Sequence, residues 1–174
     1  MTASPQPQEI AAVALKREAY RPYGDLVAAE PGRPSVGANE GTARRFDRLG
    51  EIENLRPGVA LPNLCVFRVQ PFSGASFEVR LLERHRYSTQ AFIPMAGAGR
   101  YLVIVYAGGD APDLRSLRAF VAQPGEGITY RPGTWHHPLV ALDRTADFAC
   151  LVHEDGSAAD FDLREVEPAV RVTY

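Results

Sequence analysis

The sequence predicts one all-β domain, a sandwich or closed barrel, with one or two short helices near the N-terminus. Three observations carry this expectation. Short β-rich runs recur along the chain, and turn signals such as AGAG, AGGDAPD, QPGEG, RPGTW and HEDGS punctuate them. No helical pattern alternates with the strands as βαβ units would require. The length of 174 residues suits one domain with a real core.

The elements follow in order. Residues 1–9 are polar and proline-bearing, so they are expected to be disordered, with 10–174 as the folded unit. IAAVAL (10–15) reads as a strand, and KREAYRPYG as a short helical turn stopped by Pro22 and Gly24. DLVAA (25–29) is a second strand, residues 30–40 form a Pro/Gly-rich loop, and ARRFDRL (43–49) resumes extended structure. NLCVFRVQ (63–70) and SFEVRLLERH (76–85) follow, the latter with Phe77, Val79 and Leu81 on one face. TQAFIPM (89–95), RYLVIVYA (100–107), SLRAFVAQ (116–123), GITY (127–130), PLVAL (138–142) and DFACLVH (147–153) complete the series. RYLVIVYA is apolar enough to be a central strand covered on both faces.

Composition narrows the function. Hydrophobic residues at 45% and charged residues at 23% are ordinary globular usage. A net charge of −2, with no basic block, gives no electrostatic footprint for nucleic acid or an anionic membrane. Lys16 is the one lysine among 19 basic residues, so the positive charge is almost all arginine, whose planar fork suits carboxylates. Cys65 and Cys150 lie far apart in apolar runs and read as buried strand residues in a reducing compartment. The first residues lack a secretory pattern, and no apolar run reaches the ~18 residues of a membrane span. The expected setting is the cytoplasm.

Three of the four histidines fall in two segments, LERHRYSTQAFIPM and GEGITYRPGTWHHP. Each puts polar groups at a strand end beside an apolar strand, where a barrel wall positions them and excludes water. The second segment resembles the second motif of the cupins, with Gly125 and Gly133 in the glycine positions and His136 in that of the metal-binding histidine. Arg131 stands where cupins carry proline. The first segment departs further, offering only His85 and Gln90 before Ala91-Phe92. A neutral glutamine is a weak ligand, so no cofactor is required; a divalent metal, if bound, would take His85, Gln90 and His136.

Together with EAYRPYGDLV, NEGTARRFDRL and DLRSLRAFV, the words LERHRYSTQAFIPM and YRPGTWHHPL resemble the ureidoglycolate lyase family, in order from about residue 18 to residue 148. The resemblance implies a cupin-like β-barrel or double sheet, a homodimer, and cleavage of ureidoglycolate to glyoxylate and urea in allantoin breakdown. Such an elimination needs a proton acceptor near neutral pH, a donor, and a cation for the substrate carboxylate. The expectation assigns His85 and His136 to proton transfer, with Glu83 orienting or sharing the base role, and Gln90 to the ureido group. Arg45, Arg68 and Arg131 are carboxylate-clamp candidates, helped by Asn39 and Thr42. Arg68 stands in the apolar run CVFRV, where an unpaired charge would be expensive, so a buried arginine facing a cavity is expected, with a structural salt bridge as the rival. Glu83 has a surface alternative, pairing with Arg84 or Arg86. His137 should face away from His136. His153, Trp135, Phe92 and Met95 read as structural. Two other functions compete: a metal-dependent cupin dioxygenase or isomerase, and a non-catalytic barrel that senses a small carboxylate.

Overall fold

A computed structural model describes residues 8–106, 109–110 and 114–174. The strands are β1 (Glu9–Ala11), β2 (Val13–Ala14), β3 (Leu26–Val27), β4 (Val36–Ala38), β5 (Ala43–Arg45), β6 (Leu61–Val69), β7 (Ser76–His85) and β8 (Gln90–Pro94). They continue as β9 (Tyr101–Tyr106), β10 (Arg118–Ala122), β11 (Gly127–Tyr130), β12 (Trp135–His136), β13 (Val140–Ala141), β14 (Ala146–Glu154) and β15 (Phe161–Thr173). A one-turn helix, α1 (Arg17–Tyr20), lies between β2 and β3. The expected all-β, cupin-like architecture is therefore what forms. Residues 1–7 of the segment expected to be disordered lie outside the described residues, whereas Glu9 is already paired with Arg171.

Two sheets make the body. In the eight-stranded one, β1, β15, β7, β12, β9, β10 and β2 run in order, with β13 also on β9. The five-stranded one runs β3, β11, β8, β14, β6. In β9 the apolar run divides by alternation: Tyr101, Val103 and Val105 join one core, and Leu102, Ile104 and Tyr106 another. The first core fills the space between the sheets, with Phe92, Ile128, Phe148 and Cys150 from the second sheet. The second lies on the other side of β9, where the longer sheet curls around Val79, Trp135, Val166 and Val172. β1 pairs with β15 at one end of that sheet and β2 with β10 at the other, and only Ala12 separates them. The N-terminal strands thus close the sheet on itself, which removes two exposed edges.

Local chemistry explains the joints. Tyr20, wholly buried, donates its hydroxyl to the Thr129 carbonyl (3.0 Å) and ties α1 to β11. Gly24 is required beside it, because a Cβ there would stand 1.7 Å from that same carbonyl oxygen. β15 extends past the last expected strand. Its charged residues and Pro168 disguise it, and Pro168 falls in an irregularity between Glu165 and Val170 where no ladder donor is needed. β4 and β5 form a separate two-stranded hairpin: β4 lies within the expected loop, and β5 opens the 43–49 segment expected to be extended. Among the described residues no helix is long and apolar enough to cross a membrane.

Candidate active site

At one end of the space between the sheets is a cavity of about 220 Å³. β7 contributes Glu83 and His85, β8 contributes Gln90, and β6 contributes Asn63, Cys65 and Phe67. Val152, Glu154 and Phe161 close it. His136 is set beside it by a turn that Gly133 makes with φ +79°, a left-handed value that favours glycine. The Gly133 N–H donates to the His85 carbonyl (2.7 Å), so the turn is fastened to the end of β7.

His136 pairs in register with Glu83, which puts both side chains on one face. His136 Nε2 lies 3.2 Å from Glu83 Oε1, close enough for an ion pair though off the line of a good hydrogen bond. Nδ1 lies 3.0 Å from the Thr134 carbonyl, which can only accept, so Nδ1 carries a proton and Nε2 is the exchanging nitrogen. The ring stacks on Tyr130 at 3.8 Å and 7°, and lies parallel to His85 at 6.4 Å and 14°. His85 Nδ1, Gln90 Oε1, Tyr130 Oη and His136 Nε2 are buried without a hydrogen-bond partner. Four unsatisfied polar atoms in one place are costly unless something polar binds there.

Electrostatics separates the roles. Burial pushes the His85 imidazole below its ordinary pKa and neighbouring His136 adds to the effect, outweighing the pull of Glu83, Glu154 and Asp160. His85 is therefore neutral at pH 7 and free to accept a proton. Burial alone would raise Glu83, but its contact with His136 and the charges of His85 and His137 hold it below the usual carboxylate value. Burial pushes the Cys150 thiol up to about 12, which makes it a poor nucleophile. Among the described residues no three His, Cys, Asp or Glu side chains stand together as an ion site. The set His85, Gln90 and His136 offers two imidazoles and one neutral amide, a weak donor set for a divalent ion.

The structure gathers Glu83, His85, Gln90 and His136 but not the other expected residues. Arg68 is not buried: its side chain is 71% exposed and forks onto Asp147, with Nε and Nη2 each 2.8 Å from a carboxylate oxygen. The reason is that β6 is an edge strand, and Arg68 sits on its outer side. Arg131 follows the inward-facing Tyr130 and so turns away, toward Asp25 at 3.6 Å. Arg45 is exposed and pairs with Asp47, while Asn39 and Thr42 lie at the exposed tip of the β4–β5 hairpin. The lining thus holds two carboxylates, Glu83 and Glu154, and no arginine. Glu83 does not take its surface alternative, since Arg84 and Arg86 both pair with Asp162 (2.7 and 2.6 Å). His137 turns from the cavity and packs edge-on against Phe77. Trp135 is fully buried, donates to the Gly109 carbonyl and carries Arg84 over its ring.

Tyr130, Asn63, Glu154 and Phe161 went unseen in the sequence. Alternation could have found three of them, because Asn63 shares a face with Cys65, Glu154 with Val152, and Tyr130 with the core residue Ile128. Phe161 belongs to β15, which gave no signal.

A family model described as ureidoglycolate lyase matches residues 7–173. A ureidoglycolate lyase of Burkholderia cepacia is 42% identical over 156 residues, covering 89% of this chain and 85% of its own. One from Escherichia coli K12 is 36% identical, with 87% and 91% covered, and one from Pseudomonas syringae is 33% identical, with 91% and 90% covered. Among solved structures, a dTDP sugar isomerase from Desulfovibrio desulfuricans superposes with a TM-score of 0.50 at 16% identity, covering 84% and 88%. That likeness concerns the fold alone.

Proposed function

The chain belongs to the ureidoglycolate lyase family, and from that premise we propose that it eliminates urea from ureidoglycolate to leave glyoxylate. Neutral His85 removes the hydroxyl proton, and the oxygen's electrons form the new carbonyl. The carbon–nitrogen bond breaks, its electrons pass to the departing nitrogen, and His136 supplies the proton that completes urea. Glu83 orients His136 through its contact with Nε2, and the proton that His85 has taken returns to His136 through solvent once the products leave. Gln90 accepts a hydrogen bond from the ureido N–H through its unpartnered Oε1. Two imidazoles side by side at one cavity, one of them kept neutral by burial, are what such a step requires.

The observation that carries this reading is the Glu83–His136 contact beside a parallel, neutral His85. The proposal includes a cytoplasmic setting, in keeping with two free cysteines. It also includes a homodimer, supported by the exposed apolar side chains Leu61, Leu64, Val66 and Phe67 of β6. Incubation with ureidoglycolate should release glyoxylate and urea in equal amounts. Ammonia in place of urea would mean hydrolysis of the ureido group and would overturn the elimination.

A further inference from the structure

Resting on that reading, we propose that Glu154 is a specificity residue: with Gln90 it grips the ureido end of the substrate and makes the cavity selective for ligands that carry a terminal –NH–CO–NH2 group. The cavity presents Glu83 and Glu154 and no arginine. Such a lining repels a carboxylate, so it recognises this substrate by its other end. The ureido group is the complement, because it offers three N–H donors that carboxylate and amide oxygens accept.

Glu154 stands apart from the acids around it. Asp155 and Asp160 both pair with Arg56, and Asp162 pairs with Arg84 and Arg86. Glu83 is taken up by His136. Among the described residues Glu154 makes no ion pair. Its Oε1 instead accepts the side-chain N–H of Asn63 (2.5 Å), which fixes the carboxylate at the cavity wall and leaves Oε2 as an acceptor.

Gln90 is a second, independent acceptor. It is 4% exposed, and its Oε1 is buried with no partner. β8, β14 and β6 run side by side, and Gln90, Val152 and Asn63 lie in one register row across them. Gln90 and Asn63 are therefore two strand spacings apart, roughly 10 Å between backbones. A ureido group with a hydrogen bond of about 2.9 Å at each nitrogen spans a gap of that order. On the other side of Gln90 the row continues to Tyr130, on which His136 is stacked. The nitrogen bonded to the reacting carbon thus lies at the Gln90 end, beside the imidazole that protonates it, and the terminal NH2 at the Glu154 end. The substrate carboxylate is left to water at the open side of the cavity, where the lining side chains Phe67 and Phe161 are 46% and 44% exposed.

N-carbamoylglycine tests the pocket without turnover. It keeps the carboxylate and the ureido group of the substrate and lacks the hydroxyl from which elimination starts. N-acetylglycine has the same charge and nearly the same shape, with a methyl in place of the terminal NH2. Calorimetric titration of the wild-type protein should show N-carbamoylglycine binding about tenfold or more tighter, as expected for a hydrogen bond to a charged acceptor. Glu154→Leu removes both acceptor oxygens and should bind the two compounds within about twofold of each other. Glu154→Gln, whose oxygen still accepts from Asn63, guards against misfolding of the leucine variant and should lose most of the preference. With ureidoglycolate itself, Glu154→Gln should raise KM about tenfold and leave kcat within about threefold, as for a group that holds substrate and transition state alike. Equal binding of the two compounds by the wild type, a preference that survives either substitution in a folded protein, or a loss confined to kcat overturns the proposal. A wild-type protein that prefers N-carbamoylglycine yet releases no glyoxylate keeps the ureido pocket and removes the assigned elimination.

Discussion

Each face of the five-stranded sheet departs from the usual distribution of polarity at one place. Its inner face, turned toward the other sheet, holds Gln90, Asn63 and Glu154 beside Cys65 and Val152. Its outer face holds Leu64, Val66, Ile93 and Leu151, only partly covered by residues 46–52, with Leu64 74% exposed. An antiparallel sheet with one solvated side ordinarily turns its apolar residues inward and its polar ones out. The inner exception marks chemistry, since a polar atom left unpaired in a dry place has a high free energy until a ligand satisfies it. The outer exception marks association, because a contiguous apolar patch in water invites a partner.

Substitutions on the two faces should therefore separate cleanly. His85→Ala, on the cavity side, should lower kcat/KM by about 10²-fold or more while leaving the thermal midpoint near that of the parent. Full turnover in a folded His85→Ala protein would erase the distinction between the faces. Glu83→Gln should have the next largest effect, about tenfold or more, as His136 loses the carboxylate in contact with its Nε2. The loss should fall on kcat; a rise in KM with kcat unchanged would take Glu83 out of the proton-transfer step.

Acid should act through the inner face as well. Folding lowers the pKa of His85 and of His137, in both cases chiefly through burial, so the unfolded chain binds more protons below the ordinary histidine range. Stability is then full above that range and falls as pH drops through it toward the folded values. A denaturant midpoint that declines on acidification in the parent should decline less in His85→Gln. Smallest of all should be the effect of Leu64→Lys on subunit stability, within about 0.5 kcal/mol, as for an exposed position. The same change should shift the protein from dimer to monomer in sedimentation. A large drop in stability without dissociation would make the outer face an ordinary part of the core.

Much of the architecture was legible because alternation and turn chemistry are local. SFEVRLLERH (76–85) and GITY (127–130) coincide with β7 and β11, and RYLVIVYA does bury both faces through residue 106, its last residue lying outside the described residues. Two misreadings have a shared physical origin. Hydrophobic content in CVFRV suggested burial, but an edge strand can be apolar for a neighbour absent from the chain's own interior, and Arg68 followed that edge outward. Charged content in FDLREVEPAVRVT suggested no strand, yet Val166, Val170 and Val172 are buried and the acidic and basic positions face water. The site was half visible for a similar reason. His85 and His136 announce themselves by type, whereas the lack of an arginine beside them is a fact of three-dimensional placement that no spacing encodes.

The closure of the eight-stranded sheet bears on how the chain assembles. Glu9 must find Arg171, and Val13 must find Phe120, before the sheet has a complete girth. Contacts so distant along the backbone carry a large loop-closure entropy, and topologies dominated by them cross their folding barrier slowly. The N-terminal strands are therefore the last stitch: hydrogen exchange during refolding should find their amides protected after those of the local β9–β10 ladder, and an interrupted fold would leave the roll open along that seam.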